Sequence, residues 1–479
     1  MRRPLWLVDA PEQPKGERPV PNAGFYPNLG ISAIQSYISE AHGLPAGAGC
    51  DELTLVDGAL RSFEEVEQQL DTVPPGSLVG FYAQVTNYGA VCALSSRLKA
   101  RLGDQVMIVC GGPWGTALPE VILETNLDID ACVAGDGEEI MLRLSRGESA
   151  RGMNGFFCRG EKGRVDIPEH CISHLDIGPL PPPLKHTATL APYFANYAAT
   201  DPGDHRRPTA TYFSKAGCHN RCIFCSVSRF GKVGPSRERQ PEEAWLECMD
   251  LRDRLGVNHI FEVTDSVLPN RCEALAALAP RHNADRSLSF RFYANTDFIA
   301  HEEYRFLDHF VEIGGATLAV GFESNDELVL RHAKSGRTTP EQNAKALRQI
   351  VDRGLELVAF FVLGLPFETH ESLKKTREFI EKVAQYERTT FLLVAAATPL
   401  PGTLLWDKYV RGNRSLRRKY VQREDASLVA PVYDVDELSR DYMEHCPDVR
   451  VGWDEVRELQ LEAAHTRPDV FSVWGTIDE

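Results

Sequence analysis

At 479 residues the chain is too long for one ordinary hydrophobic core, so two or three domains are expected. Its 68 acidic residues outnumber its 52 lysines and arginines, and the formal net charge of −16 disfavours nucleic acid as a partner. The chain has no run of about 18 apolar residues and Asp9 interrupts the apolar run that begins at Leu5, so we expect no membrane span, no signal peptide and a cytoplasmic location.

Residues 1–150 alternate between short apolar runs and helical patterns. Leu5–Ala10 and Ser77–Val85 read as buried strands, and a helix with isoleucines at helical spacing separates them and stops at Gly43. Two further strands, "QVMIVCGG" and "IDACVAGDGEE", run directly into glycines. Alternating strands and helices predict an α/β domain with a doubly wound parallel sheet of the flavodoxin-like or Rossmann-like type.

Polar residues and glycines follow the predicted strands of this first domain. Ligands of open parallel sheets bind beyond the carboxyl ends of the strands, so these residues form a candidate binding edge. The candidates are Thr86, Asn87, Gly111, Gly112, Gly135 and Glu138. Because the chain has no Gly-x-Gly-x-x-Gly motif, a dinucleotide site is not predicted there.

The rest of the chain divides by composition into three parts. Residues 151–205 are irregular and contain the proline-rich stretch Gly178–Leu184, so we interpret them as a linker. Residues 206–410 contain six predicted strands separated by helical patterns, which predicts a partial TIM-like (βα)6 barrel. Residues 411–479 are charged and less periodic, and we expect a small helical segment with a basic, solvated face.

Three of the twelve cysteines cluster where the first strand of the second series ends. Cys218, Cys222 and Cys225 lie within the segment "KAGCHNRCIFCSV", whereas the other nine are scattered. Three thiolates can hold three irons of a four-iron cluster and leave the fourth iron open for a small molecule, which is a catalytic arrangement. A zinc site completed by His219 or by a distant ligand is the alternative.

The Cys-x3-Cys-x2-Cys spacing at the end of the first strand of a (βα)6 series resembles the radical S-adenosylmethionine (SAM) superfamily. The resemblance implies a [4Fe-4S] cluster held by the three cysteines, with SAM bound at the open iron. It further implies reductive cleavage of SAM to a 5′-deoxyadenosyl radical, which abstracts hydrogen from an unactivated C–H bond.

The same resemblance extends along the second half of the chain and implies the residues that contact SAM. Phe224 would pack on the adenine, Thr264 and Asp265 would bind the amino group, Glu323 the ribose, and Pro366 lies in the segment that meets the adenine. The segment "TPLPGT" resembles the family's sixth-strand ending. Related enzymes often carry an arginine in the third strand, where this chain has Asn295, so no role of that arginine is transferred.

The first domain resembles the cobalamin (B12)-binding domain that is fused to one large class of these enzymes. The candidate binding edge would then meet the cofactor, and Trp114 would lie near the cobalt face. No Asp-x-His-x-x-Gly motif occurs, so a lower histidine ligand to cobalt is not expected. A scaffold that has lost its cofactor is the alternative.

These features together predict a radical SAM enzyme that acts on a small biosynthetic intermediate by cobalamin-dependent C-methylation. The alternative is cobalamin-independent dehydration, deoxygenation or epimerisation of a polyol or aminosugar. A cationic substrate would fit the acidic chain, and Tyr212, Glu262 and Asp297 are candidate pocket residues. Such an enzyme requires a reductase, flavodoxin or ferredoxin as electron donor.

Overall fold

A computed structural model describes residues 2–12, 26–44, 52–160, 163–200, 207–218, 220–230 and 237–472. The chain divides into two compact units, each with its own seven-stranded sheet. The first unit contains residues 1–196 and 414–433, and the second contains residues 197–413 and 434–479. The predicted α/β fold class is confirmed.

The sheet of the first unit has the strand order β2-β1-β3-β4-β5-β6-β7. The first five strands are parallel, and β6 and β7 are added antiparallel at one edge. The order 2-1-3-4-5 is that of flavodoxin-like sheets, which bind ligands at the carboxyl edge near β1 and β3. The strands are β1 (Leu5–Asp9), β2 (Leu53–Asp57), β3 (Leu78–Tyr82), β4 (Met107–Gly111), β5 (Ala131–Val133), β6 (Phe156–Arg159) and β7 (Val165–Asp166).

Helices connect the parallel strands of the first unit and bury their apolar residues against the sheet. In the first helix Ile31 and Ile38 are buried, the Asn28 side chain accepts the backbone N–H groups of Gly30 and Ile31, and Gly43 ends the helix with a left-handed φ of 68°. The helices are α1 (Leu29–His42), α2 (Phe63–Leu70), α3 (Tyr88–Leu102), α4 (Gly112–Ala117), α5 (Pro119–Thr125), α6 (Glu138–Ser145) and α7 (Ala191–Thr200), with 3-10 turns at Gly58–Leu60 and Gly103–Gln105.

The sheet of the second unit is parallel throughout, and its strands lie side by side in chain order. All their carboxyl ends therefore open onto one edge, where chemistry is expected. The six predicted strands are confirmed, and a two-residue strand extends the sheet. The strands are β8 (Thr209–Tyr212), β9 (His259–Glu262), β10 (Ser289–Ala294), β11 (Gly315–Glu323), β12 (Glu356–Leu363), β13 (Thr389–Ala396) and β14 (Phe471–Ser472).

Helices alternate with these strands. One begins with a capping box, as the sequence predicts: the Thr339 hydroxyl accepts the Gln342 N–H at 3.2 Å, and the Gln342 side chain accepts the Thr339 N–H at 3.0 Å. The remaining helices are α8 (Val227–Phe230), α9 (Pro241–Leu255), α10 (Pro269–His282), α11 (Thr296–Ala300), α12 (Phe306–Ile313), α13 (Glu327–Ala333), α14 (Pro340–Asp352), α15 (His370–Ala384), α16 (Arg414–Tyr420), α17 (Val435–His445) and α18 (Trp453–Thr466), with a 3-10 turn at Glu302–Tyr304 and a π-helix at Trp406–Val410. Of these, α16 belongs to the first unit.

Residues 151–205 are not simply a linker, because they contain β6, β7 and α7. Strand β6 carries the run "FFCR", and its first three residues are buried against the sheet. Short strands at a sheet edge give little periodicity, which is why the sequence did not separate them from irregular chain. Strand β2 was missed for the same reason.

The expected C-terminal segment, residues 411–479, is divided between the two units. Residues 414–433 belong to the first unit, where the Trp114 indole donates to the Pro431 carbonyl at 2.9 Å. The Trp114 and Tyr433 rings meet edge to face at 5.8 Å, and the Tyr433 hydroxyl donates to the Tyr420 carbonyl. None of the described helices combines the length and the apolar character that a membrane crossing needs.

Candidate active site

The three clustered cysteines lie on the loop that leaves the carboxyl end of β8. None of the three forms a disulfide, and all three are half-buried. The loop is compact, because the Cys225 N–H donates to the Cys222 carbonyl at 3.2 Å and the Asn220 N–H points at the Cys218 sulfur at 3.4 Å. A turn at Ile223 and Phe224 thus joins the last two cysteines.

The first half of this cysteine loop is anchored to the end of β9. The Ser214 N–H donates to Glu262 at 3.1 Å, the Lys215 N–H to the Thr264 hydroxyl at 3.2 Å, and the Gly217 N–H to the Asp265 carboxylate at 2.9 Å. Pairing of β8 with β9 sets these contacts, since Tyr212 lies opposite Glu262. The carboxyl end of β9 therefore holds the base of the cysteine loop.

The second half of the loop is held from another side. The Ile223 N–H donates to the Ala333 carbonyl at 3.0 Å, and the Ile223 carbonyl accepts the Leu405 N–H at 3.0 Å. The Ser335 hydroxyl donates to the Arg221 carbonyl, also at 3.0 Å. The end of α13 and the start of the π-helix region thus fix the backbone on both sides of Cys222.

The pKa of the Cys222 thiol is influenced by the charges of its neighbours, including the other two cysteines. Burial raises the pKa of Cys222 to about 12, the Lys334 charge acts to lower it, and Glu323 and the other two cysteines raise it further. Burial also raises the pKa of Cys218. Crowded thiols of this kind lose their protons when a cation binds them, because the metal charge replaces the repulsion with attraction.

Three cysteine thiolates are the donor set that a four-iron cluster with one open iron requires. Among the described residues, no three histidine, cysteine or acidic side chains converge closely enough to hold one metal ion. A cubane cluster is wider than one ion and separates its thiolate ligands accordingly. His219, the alternative zinc ligand, lies outside the described residues.

Two residues predicted to contact SAM follow β9. Thr264 is buried, and its hydroxyl hydrogen-bonds to Glu262 while it accepts the Lys215 N–H. Asp265 is exposed at the strand end beside the cysteine loop. Asp265 is therefore placed to meet a ligand, whereas Thr264 stabilises the loop. Phe224, between the last two cysteines, is half-buried.

Glu323 ends β11 in an unusual backbone conformation. Its φ of 64° is left-handed, and the register of β11 against β12 shifts between Gly321 and Glu323. The carboxylate folds back over Gly321, where a Cβ atom would lie 2.1 Å from it. A strained residue of this kind at a strand end is typical of functional sites.

Lys334 is a site residue that sequence reasoning missed. It is 5% exposed, its ammonium donates to the Gly321 carbonyl at 2.6 Å, and it lies 3.7 Å from the Glu323 carboxylate. In the sequence it follows an ordinary helix, and a lysine after the last helical turn usually has a solvated side chain. No local pattern could have identified it.

The turn after β12 is fixed by a buried acid. The Glu368 carboxylate accepts the Gly364 N–H, and burial raises the Glu368 pKa to about 8. Phe367 takes a left-handed φ of 72°, and its ring stacks on His332 with centroids 4.0 Å apart. Pro366 is itself buried, so its predicted adenine contact would come through the backbone of this turn.

The candidate pocket residues are not gathered together. Tyr212 and Glu262 are buried and line a small cavity of about 20 Å³ with Trp245 and Cys248 of α9. They therefore face the helix layer, and Glu262 supports the cysteine loop instead of meeting substrate. Asp297 lies in the first turn of α11 and is half-buried.

The candidate binding edge of the first unit contains two kinds of residue. Asn87 is fully buried: its side chain accepts the Gln84 N–H at 2.8 Å and donates to the carbonyls of Ala10 and Tyr82. Asn87 thus ties the ends of β1 and β3 together. Thr86 and Glu138 are half-buried at the same edge.

Glycines at this edge leave the backbone accessible. Gly111, Gly112 and Gly135 are all half-exposed. A Cβ atom at Gly112 would lie 2.8 Å from the Ala83 carbonyl, and one at Gly135 would lie 2.2 Å from the Ser173 carbonyl, so both glycines are required by internal packing. At Gly111 the nearest atom would be 3.9 Å away. An edge with exposed backbone fits a large cofactor. Trp114 is buried against residues 431–433, and its predicted place near the cobalt face stays a prediction.

Comparisons with known proteins agree with this geometry. Residues 213–380 match the family profile "Radical SAM superfamily". An uncharacterized methyltransferase of Pyrococcus horikoshii is 26% identical over 437 residues, which cover 87% of this chain and 86% of the relative.

Two solved structures share the fold across both units. The radical SAM methyltransferase TsrM from Kitasatospora setae, with cobalamin and a [4Fe-4S] cluster bound, aligns with a TM-score of 0.67 and 15% identity over 100% of this chain and 92% of TsrM. The cobalamin-dependent radical enzyme OxsB, with aqua-cobalamin and SAM bound, aligns with a TM-score of 0.62 and 16% identity over 90% of this chain and 57% of OxsB. Residues 213–380 therefore belong to the radical SAM superfamily, and the chain shares its fold with TsrM and OxsB.

Proposed function

We propose that this chain is a cobalamin-dependent radical SAM enzyme that methylates an unactivated carbon of a small molecule. The observation that carries the proposal is the cysteine loop: three half-buried thiols, none of them in a disulfide, at the carboxyl edge of a parallel sheet and beside Asp265. The similarity to a methyltransferase over most of both chains and the shared fold with TsrM and OxsB support the same function.

The proposed roles follow from the positions of the residues. Cys218, Cys222 and Cys225 would hold a [4Fe-4S] cluster, which supplies one electron to bound SAM. Asp265 and Glu323 would bind polar groups of SAM, while Phe224 and the turn at Gly364 to Pro366 would contact its adenine. The half-exposed glycines of the first unit, with Thr86 and Glu138, would contact cobalamin, which supplies the methyl group.

The remaining contribution of the protein is positional. The Ser214, Lys215 and Gly217 N–H groups fix the base of the cysteine loop on the end of β9, so the loop has a defined starting position. Preorganisation of this kind keeps reacting atoms close and excludes water, which would quench a radical.

The test is anaerobic purification, cluster reconstitution and incubation with SAM and a reductant. We expect about four irons and one cobalamin per chain and formation of 5′-deoxyadenosine. Cys222→Ala should abolish 5′-deoxyadenosine, whereas Cys171→Ala, at an exposed cysteine of the first unit, should retain it.

Two results would change the proposal in different ways. A Cys222→Ala variant that still produces 5′-deoxyadenosine would refute the radical chemistry. A loaded cluster with no bound cobalamin would refute methyl transfer from cobalamin and favour radical dehydration, deoxygenation or epimerisation.

A further inference from the structure

Lys334 is buried, although a lysine ammonium in the interior is costly unless it is paired. It follows α13 directly and is 5% exposed. Its ammonium has two partners, the Gly321 carbonyl at 2.6 Å and the Glu323 carboxylate at 3.7 Å. The ammonium is thus held in one place at the carboxyl end of β11.

Two hydrogen bonds place Lys334 opposite Cys222. Ala333 accepts the Ile223 N–H, and Ser335 donates to the Arg221 carbonyl, each at 3.0 Å. The residues on either side of Lys334 are therefore bonded to the residues on either side of Cys222. The two backbones cannot slide past one another without breaking both bonds.

The charges of this group act on the Cys222 sulfur with opposite signs. The Lys334 ammonium and the Glu323 carboxylate lie 3.7 Å apart at the end of β11, and the backbone on either side of Lys334 is bonded to the backbone on either side of Cys222, so a positive and a negative charge are both held next to the cysteine loop. Both charged side chains are at least 90% buried, so water screens them little. A fixed cation beside a cluster ligand stabilises any electron added to the cluster.

We propose that Lys334 raises the reduction potential of the cluster by holding a positive charge beside Cys222, and that the neighbouring Glu323 partly offsets this effect. The inference rests on the proposed function, since it requires a cluster on the cysteine loop. It concerns one-electron reduction of that cluster, with the electron supplied by the reductant. Net charge and hydrogen bonding around the sulfurs are the general determinants of such potentials.

The test is a redox titration of the reconstituted, full-length protein without SAM, followed by electron paramagnetic resonance (EPR). In Lys334→Met we expect the equilibrium constant for reduction to fall at least about tenfold, which is a shift of about 59 mV to more negative potential. Lys334→Arg should keep the wild-type potential. Glu323→Gln should shift the potential in the positive direction.

Lys345→Met is the matched control. Lys345 pairs with Glu302 at 2.9 Å, and both side chains are exposed, so water screens the lost charge. We expect no change in its potential. We expect the reduction potential to shift in opposite directions in Lys334→Met and Glu323→Gln. General damage to the fold would not change the direction of the shift with the sign of the charge that is removed.

A Lys334→Met variant with full iron content and the wild-type potential would overturn the inference. If Lys334→Met fails to bind iron, the Glu323→Gln titration decides, because a negative shift or no shift there contradicts the electrostatic account. Wild-type protein without a cluster would overturn the proposed function itself, and the inference with it.

Discussion

The position of the Glu323 side chain depends on the absence of a side chain at Gly321. Gly321 has no Cβ atom, and the Glu323 carboxylate occupies that space. The left-handed backbone of Glu323 turns its side chain back toward Lys334. A glycine two residues before the glutamate in the sequence Gly-Phe-Glu-Ser thus leaves room for the Glu323 carboxylate to fold back over its own strand.

Gly321→Ala should therefore weaken nucleoside binding without unfolding the protein. The new methyl group would displace the flexible end of Glu323, and loss of one hydrogen bond to a charged group raises the Kd for S-adenosylhomocysteine about tenfold. Isothermal titration calorimetry measures this Kd. Gly452→Ala is the control, since a Cβ atom there meets nothing within 4 Å. An unchanged Kd in Gly321→Ala would show that Glu323 does not contact the nucleoside.

Two adjacent glycines of the first unit should respond differently to substitution. Gly111 has an extended backbone with φ −127°, and a Cβ atom there would make only ordinary contacts at 3.9 Å, so Gly111→Leu should preserve stability while cobalamin content falls at least about tenfold. Gly112→Ala should destabilise the unit by about 1–3 kcal/mol, because φ is 76° and the Ala83 carbonyl lies 2.8 Å away. Thermal unfolding and cobalamin absorbance measure the two effects. Normal cobalamin content in Gly111→Leu would place the cofactor elsewhere.

At the level of elements, the sequence identified strands with long apolar runs and strong boundaries. The capping box at Thr339 and the glycine after α14 are local signals, so that helix was predictable. The cysteine spacing was equally local. Lys334 depends on a hydrogen-bonded pairing between α13 and the cysteine loop, which are over 100 residues apart, and no single-sequence pattern encodes such a contact.

The turn after β12 predicts a pH dependence of stability. Glu368 has an ordinary pKa of 4.5 and a pKa of about 8 when buried in the folded protein. Between these values the folded carboxyl keeps its proton while the unfolded one loses it. Stability should therefore fall as the pH rises from about 4.5 to 8, by at most ~1.4 kcal/mol per pH unit from this group.

Glu368→Gln should make this decline shallower. The glutamine is neutral throughout the range, and its carbonyl can still accept the Gly364 N–H. Chemical denaturation at several pH values compares the slopes of the two proteins. Parallel slopes for wild type and variant would contradict the burial effect.

At the scale of the molecule, neither unit is one continuous stretch of the chain, because each contains two separate segments. Residues 414–433 return to the first unit after the chain has passed through strands β8 to β13, and residues 434–479, which include β14, rejoin the second unit. Composition alone suggested one C-terminal segment, because both parts are helical and charged. The assignment of residues 414–433 to the first unit reflects the contacts of Trp114 with the Pro431 carbonyl and the Tyr433 ring. Trp114 and Pro431 are 317 positions apart in the sequence, so a local sequence pattern does not reveal the contact.

Tyr433→Ala should loosen the first unit although it lies far along the chain. Removing this half-buried ring exposes Trp114, and we expect a loss of about 1–3 kcal/mol. Hydrogen exchange should become faster in residues 112–117 but not in β10–β12. Tyr433→Phe, which loses only the hydroxyl bond to Tyr420, should cost about 1 kcal/mol. Unchanged exchange at residues 112–117 would contradict the assignment of residues 414–433 to this unit.

The central claim is a four-iron cluster with one iron that no protein ligand occupies. The most direct measurement is the EPR spectrum of the reduced, anaerobically reconstituted protein with and without SAM. The account predicts a [4Fe-4S] signal whose g values change when SAM binds, and loss of that signal in Cys222→Ala. Stoichiometric zinc on the cysteine loop, or a cluster spectrum that SAM leaves unchanged, would contradict it.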